Sequence, residues 1–276
     1  MTGLSSNFLV DAAAQILATA DPLEKVRLSA IAAEGWSSGS LLPGGVSVPP
    51  DRPARPPQPQ LLSPSKVPRR RINTATRGRV ALLHALAHIE LNAIDLAWDI
   101  IARFATPELP VRFFTDWVHV AAEEAHHFSL LSQRLAELDA AYGDLPAHDG
   151  LWDSAMATRH DLAARLAVVP LVLEARGLDV TPAIIGKLQL AGDDRSASIL
   201  ETIYQDEIGH VRIGHRWFGF ACACRGLEPA QAWRGYVATF FKGALKPPFN
   251  ADARAAAGMP ASWYAAENVD QPRSAA

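Results

Sequence analysis

Four glutamates constrain this chain more than any other feature, because each sits in the middle of a helical stripe that is otherwise apolar. Beyond Arg71 the sequence is rich in Ala and Leu with few strand signals. It reads as four long helices at about 75–104, 111–141, 154–178 and 195–225. On the first, positions 83, 86, 87, 90, 93, 94 and 97 share one face and read Leu, Leu, Ala, Glu90, Ala, Ile, Ala. The matching face of the second carries Trp117, Val120, Ala121, Glu124, His127, Phe128 and Leu131. The third presents Ala167, Pro170, Leu171, Glu174, Gly177 and Leu178, and the fourth Leu200, Ile203, Tyr204, Glu207, His210, Val211 and Gly214. A carboxylate buried without a partner is very costly. Four of them converging in one core repel each other unless cations neutralise them, so the pattern points to metal ions.

A second signal is independent of periodicity. The segment Glu90-Leu-Asn-Ala-Ile-Asp-Leu parallels Glu174-Ala-Arg-Gly-Leu-Asp-Val, and Glu123-Glu124-Ala-His-His127-Phe parallels Asp206-Glu207-Ile-Gly-His210-Val. Glu90 precedes Glu124 by 34 residues and Glu174 precedes Glu207 by 33, so a two-helix unit is repeated with its candidate ligands in register. Twelve Glu and nine His would place roughly 0.4 Glu-x-x-His pairs in such a chain by chance, so one pair alone carries little weight. Two well-spaced pairs, with a lone Glu on each of two further helices, carry much more. Glu123 and His126 form an overlapping pair, but they share a more polar face with Asp116 and His119. Periodicity and repeat both select Glu124 and His127. The set matches the ligands of ferritin-like di-iron and di-manganese bundles.

Prolines organise the rest. Nine of twenty lie between Pro43 and Pro68, where no helix interior or central strand can form, so this stretch reads as an extended strap. Leu61 and Leu62 within it suggest that it lies on the protein. Ahead of it, a helix near 7–19 is followed by Asp21-Pro22-Leu23-Glu24, which has the grammar of a helix start. After the four helices come a further helix near 229–243 and a KPPFN tail segment, Lys246 to Asn250. The organisation expected is an N-terminal helical extension (1–42), the strap (43–71), an all-α four-helix bundle (72–228) and a C-terminal helical extension packed on it (229–276). The segment 179–194 separates the third and fourth helices and could hold a short helix of its own. Pro170 frees the carbonyl of Leu166 and predicts a kink beside Glu174.

In its fuller wording (HALAHIELNAIDLAWD, DWVHVAAEEAHHF, RLAVVPLVLEARGLDVTP, DEIGHVRIGHRWF) the chain resembles the ferritin-like superfamily over about residues 15–260. Within it, the chain looks like a bacterial family of unknown function that is distantly similar to the di-iron hydroxylases of tRNA. The resemblance implies a ferritin-like bundle and a dinuclear site with Glu90, Glu124, His127, Glu174, Glu207 and His210 as ligands, Glu124 or Glu207 or both bridging. It also implies that Asp206 orients His127 and Glu123 orients His210, with Glu123 standing where Asp is commoner. Two transition-metal ions follow, iron first and manganese second, because hard carboxylates with imidazole and no thiolate suit them. The implied activity is O2-dependent oxidation or hydroxylation of an unidentified substrate, a small molecule or an RNA base, with an unidentified electron donor. The alternatives are iron or manganese binding or storage, and tRNA modification.

Other residues have plainer readings. Tyr204, one turn before Glu207, is a candidate redox or proton-donating residue, or a core residue with a bonded hydroxyl. His84 and His88 fall on the face opposite Glu90 and read as ordinary hydrogen-bonded or surface histidines, and His148 and His215 read as structural. Asp95 and Asp179 recur in the repeat and read as residues that cap or cross-brace helices. Cys222 and Cys224 read as packing residues of a chain from a reducing cytoplasm. A net charge of −3 argues against a dedicated nucleic-acid or membrane coat. No stretch approaches the length of a membrane span, and no signal peptide is evident. Between Arg52 and Arg79 lie eight Lys/Arg and no Asp or Glu, the one patch suited to a polyanion such as tRNA. A solvated strap pairing with acids elsewhere explains it equally well. A homodimer is compatible with everything above.

Overall fold

Helix is the only regular element among the described residues; beyond it there are just two isolated bridges, Phe8 with Leu42 and Leu61 with Ala147. The computed structural model describes residues 3–63, 66–67 and 76–265. The chain divides into two compact units, residues 1–156 with 186–199 and residues 157–185 with 200–276.

In the first unit, α1 (Leu9–Leu17) and α2 (Pro22–Ser37) precede the long pair α3 (Thr76–Phe104) and α4 (Val111–Ala136), and α5 (Gly150–Ala157) follows. The start of α2 is the one its sequence dictates: Pro22 takes the first turn and the Asp21 carboxylate accepts the Glu24 N–H at 2.8 Å. The break at Pro107 and Pro110 is short, and α3 packs on α4, with α1 on α3 and α2 on α4. Leu83, Ile94, Trp98 and Ile101 of α3 and Phe113, Trp117, Phe128 and Leu131 of α4 are all buried in the core. The second long helix stops at Ala136, short of the expected 141, because the chain turns over with Asp139 in the left-handed region at φ 56°.

One expectation needs correction here. An 18-residue window of α3 is long and apolar enough to cross a membrane, yet 78% of it is buried. Its apolar character serves the core, which it lines on almost every side.

The strap runs extended over this unit. Leu9 and Val10 donate N–H bonds to the carbonyls of Leu42 and Gly44 at 2.9 Å each, Ala54 donates to Leu17 at 2.8 Å, and Leu62 to Ala147 at 2.8 Å. Leu61 remains 38% exposed, whereas Pro53 and Pro59 are buried.

The second unit contains α6 (Leu162–Val168), a π-helical turn (Val169–Glu174), the first part of α7 (Ala175–Leu190), most of α8 (Asp194–Cys224), α9 (Pro229–Phe240), α10 (Ala251–Ala256) and a 3-10 turn (Ala261–Trp263). The third predicted helix, 154–178, is therefore revised in three places. Its expected start belongs to α5, and a new helix begins where Asp161 accepts the N–H groups of Ala163 and Ala164 at 2.8 and 3.3 Å. Pro170, which cannot make the ordinary backbone bond, sits in a full π-turn ending on Glu174. Beyond Leu178 the helix continues to Leu190 straight through Pro182. Pro182 leaves the Leu178 carbonyl without its helical donor, and Asn250 Nδ2 donates to that oxygen at 3.2 Å. The core of this unit gathers Leu166, Ala167, Leu171, Leu178, Val211, Phe218 and Trp233, and Trp233 Nε1 donates to the Ala167 carbonyl at 3.1 Å.

Candidate metal centre

The repeat seen in the sequence becomes two sets of donors, one in each unit. In the first unit α3 supplies Glu90, and α4 supplies Glu124 with His127 one turn on. All three are buried, Glu124 and His127 completely. His127 Nδ1 lies 3.4 Å from Glu90 Oε2 and 3.4 Å from Glu124 Oε2. One ligand atom from each of the three falls within 4.8 Å of the others, a spacing that could hold a metal ion. Glu90 Oε2 is sealed from solvent. Burial, with the Glu124 carboxylate beside it, pushes Glu90 well above the usual carboxylate range. Burial pulls the His127 imidazole down, but Glu124 and Glu90 outweigh it and carry it up to about 11. Two carboxylates facing one imidazole in a dry core is an arrangement that a cation stabilises, and oxygen and nitrogen donors without thiolate suit iron or manganese.

In the second unit Glu174 closes the π-turn, and α8 carries Glu207 with His210 one turn later, Nδ1 lying 3.8 Å from Glu207 Oε1. His210 is fully buried, while Glu174 and Glu207 are half-buried. Donor types and order repeat those of the first unit. Glu123, half-buried on α4, is 3.3 Å from His119 Nε2, and Asp206 is half-buried on α8. The Tyr204 hydroxyl accepts a bond from Asn250 Nδ2 at 3.0 Å, which engages it with the tail.

His84, His88, Asp95 and Asp179 are braces. His84 Nε2 accepts the N–H groups of Gly143 and Leu145 at 3.0 and 3.3 Å. His88 Nε2 is 3.0 Å from the His148 carbonyl, which can only accept, so Nε2 carries the proton and Nδ1 accepts from the Tyr142 hydroxyl at 2.9 Å. Burial pulls the His88 imidazole down to about 4, so it is neutral at ordinary pH. Both histidines therefore pin the loop after α4. Asp95, entirely buried, pairs with Lys25 and Arg55, and Asp179 pairs with Arg254 at 2.7 Å. Of the two roles the sequence left open for these aspartates, capping or cross-bracing, the ion pairs show the second, with partners that sequence reasoning did not find. Lys25 had left a signal, since it shares an α2 face with the buried Leu28, Ser29 and Ala32.

Several residues of the basic stretch are engaged as well. Arg52 pairs with Asp149 and Asp153, Arg55 with Asp95, and Arg79 with Asp193 at 3.1 Å. Arg69, Arg70 and Arg71 lie outside the described residues.

Comparison with known proteins adds a family but no activity. Residues 18–265 match the family described as protein of unknown function (DUF455). An uncharacterized protein of Haemophilus influenzae (strain ATCC 51907 / DSM 11121 / KW20 / Rd) is 44% identical over 215 residues, 75% of this chain and 73% of its own. No solved structure gives a significant match.

Proposed function

The chain belongs to the DUF455 family, and from that premise we propose that it is a dinuclear metal–carboxylate protein on a ferritin-like four-helix core, an iron-dependent oxidase or hydroxylase of an organic substrate. The observation that carries this reading is the buried triad of Glu90, Glu124 and His127, with the same donors repeated in order at Glu174, Glu207 and His210. Glu-x-x-His twice, plus one further Glu twice, is the donor set of di-iron and di-manganese bundles. In this reading those six residues hold the pair of ions. Asp206 and Glu123 orient the two imidazoles, as carboxylates next to metal-bound histidines generally do.

Ions held by these residues would supply the redox chemistry for O2-dependent oxidation of a substrate. The protein's own part is narrower. Trp117, Ala121, Phe128 and Leu131 keep water from the α4 donors. The helices hold carboxylates of like charge close together, so the site favours cations over an empty state.

Metal analysis of protein purified without chelators tests this directly. The wild type should carry about two transition-metal ions per chain, and a Glu124→Ala/Glu207→Ala variant far fewer. Equal metal in the two proteins refutes the reading. Many ions per chain in a large multi-subunit particle would instead identify a storage protein. Binding of tRNA at low salt, lost on neutralising Arg69, Arg70 and Arg71, would identify the substrate as RNA.

A further inference from the structure

The π-turn of the second unit has a rigid partner. A Cβ built on Gly214 would lie 2.4 Å from Cβ and 2.6 Å from Cγ of Pro170, so only glycine fits there. The Pro170 ring has no rotamer freedom and Gly214 has no side chain, which makes this contact about as unyielding as a protein can build. Its position is informative on both sides. Pro170 lies four residues before Glu174, at the far end of the same π-turn, and Gly214 lies four residues after His210 and seven after Glu207 on one stripe of α8. Each partner is thus about one helical turn from a proposed ligand.

The π-turn matters for the same reason. One extra residue in a turn shifts every later side chain by about 100° on the helical wheel. Glu174, the last residue of the turn, therefore faces where the π-register sends it and not where an uninterrupted α-helix would. Two features keep that register: Pro170, which cannot donate the α-helical bond, and Trp233 Nε1, which takes the Ala167 carbonyl at 3.1 Å.

We infer that the Pro170–Gly214 contact is a spacer that sets the ligand geometry of the Glu174/Glu207/His210 set. Pro170 and Gly214 are positioning residues for the ion that this set helps to hold. The inference rests on the dinuclear reading above and adds residues that bear no donor atom.

Cobalt(II) is the probe, added to the metal-free full-length chain and followed by calorimetry and by its visible spectrum, which reports ligand geometry. Four proteins are compared: wild type, Gly214→Ala, Pro170→Ala and Gly219→Ala. The last is the control, on the same helix, with nothing within 4 Å of the added methyl. Wild type and Gly219→Ala should bind two equivalents with one common spectrum. Gly214→Ala should weaken one equivalent by roughly 10–100-fold, the range seen when residues supporting metal ligands are lost, with an altered spectrum. Pro170→Ala introduces no clash, so it reports even if Gly214→Ala does not fold. Its restored N–H lets the π-turn relax, and it should weaken the same equivalent. Folded variants that bind both equivalents like wild type, with an unchanged spectrum, overturn the spacer. No cobalt bound by wild type overturns the metal reading itself.

Discussion

Substituting Asp95 separates a buried brace from an ordinary ion pair. Lys25 and Asp95 are 1% and 0% exposed, and Arg55, the other cation on this carboxylate, is 15% exposed. Asp95→Asn would leave two cations facing a neutral amide in the core, and removing one partner of a buried pair typically costs about 3–5 kcal/mol. A ceiling comes from the lysine itself, whose ordinary pKa is 10.5. Neutralising such a group at pH 7 costs about 5 kcal/mol, so it would shed its proton before costing more. Lys25→Met is the contrast. It leaves the Arg55–Asp95 pair in place with an apolar stem of similar length, and should cost no more than about 1–2 kcal/mol. Burial already pulls the Lys25 ammonium down. In Asp95→Asn its folded value falls further below the unfolded one, so the unfolded chain binds more protons. The stability deficit must then shrink as pH rises from 7 towards 10.5. Urea denaturation followed by circular dichroism at pH 7 and pH 9.5 measures both effects. An Asp95→Asn deficit no larger than that of Lys25→Met, or one that does not shrink with pH, refutes the argument.

Two further substitutions test the C-terminal tail and the strap. Asn250→Ala removes the acceptor for Ala253 N–H and the donors to the Leu178 carbonyl and the Tyr204 hydroxyl. A loss of about 1–3 kcal/mol is expected in thermal or urea unfolding, and no loss would mean that water replaces the amide at no cost. Gly45→Ala places a methyl 2.8 Å from Val10 Cβ at a residue whose φ is +134°. It should loosen the strap and increase protease cleavage between residues 43 and 50, at a cost of about 1–3 kcal/mol; cleavage at the wild-type rate would contradict this.

Most helix positions, and the convergence of Glu90, Glu124 and His127, were legible in the sequence because both depend on local spacing. Glu90, Glu124 and His127 are brought together by nothing more than helical periodicity and a short turn between α3 and α4. What escaped was set by distant partners. A proline inside a helix frees a carbonyl, but whether the chain kinks, bulges or continues depends on what occupies that oxygen's surroundings. At Pro182 the answer is Asn250, about 70 residues away, and α7 continues. At Pro170 the ring seats on Gly214, and the turn widens to π. No local pattern distinguishes the two cases.

The repeat also explains why the extensions exist. Five residues after the lone Glu of each two-helix unit stands an aspartate, Asp95 after Glu90 and Asp179 after Glu174. In the first unit Asp95 collects Lys25 from the N-terminal helices and Arg55 from the strap. In the second Asp179 collects Arg254 and the Asn250 N–H from the C-terminal tail, at 2.7 and 2.9 Å. The partners differ in sequence, type and direction along the chain, yet each set ends on the same position of the repeat. A duplicated two-helix unit has duplicated buried aspartates, each too costly to leave without a cation. Asp179 also has Arg176 of α7 at 3.5 Å, but the distant cations come from the N-terminal helices and strap for one half and from the tail for the other, and they tie down the helix on which that half's lone Glu resides. Strap and tail are on this argument part of the proposed site's construction, and weakening either should disturb the donors nearest to its own aspartate first.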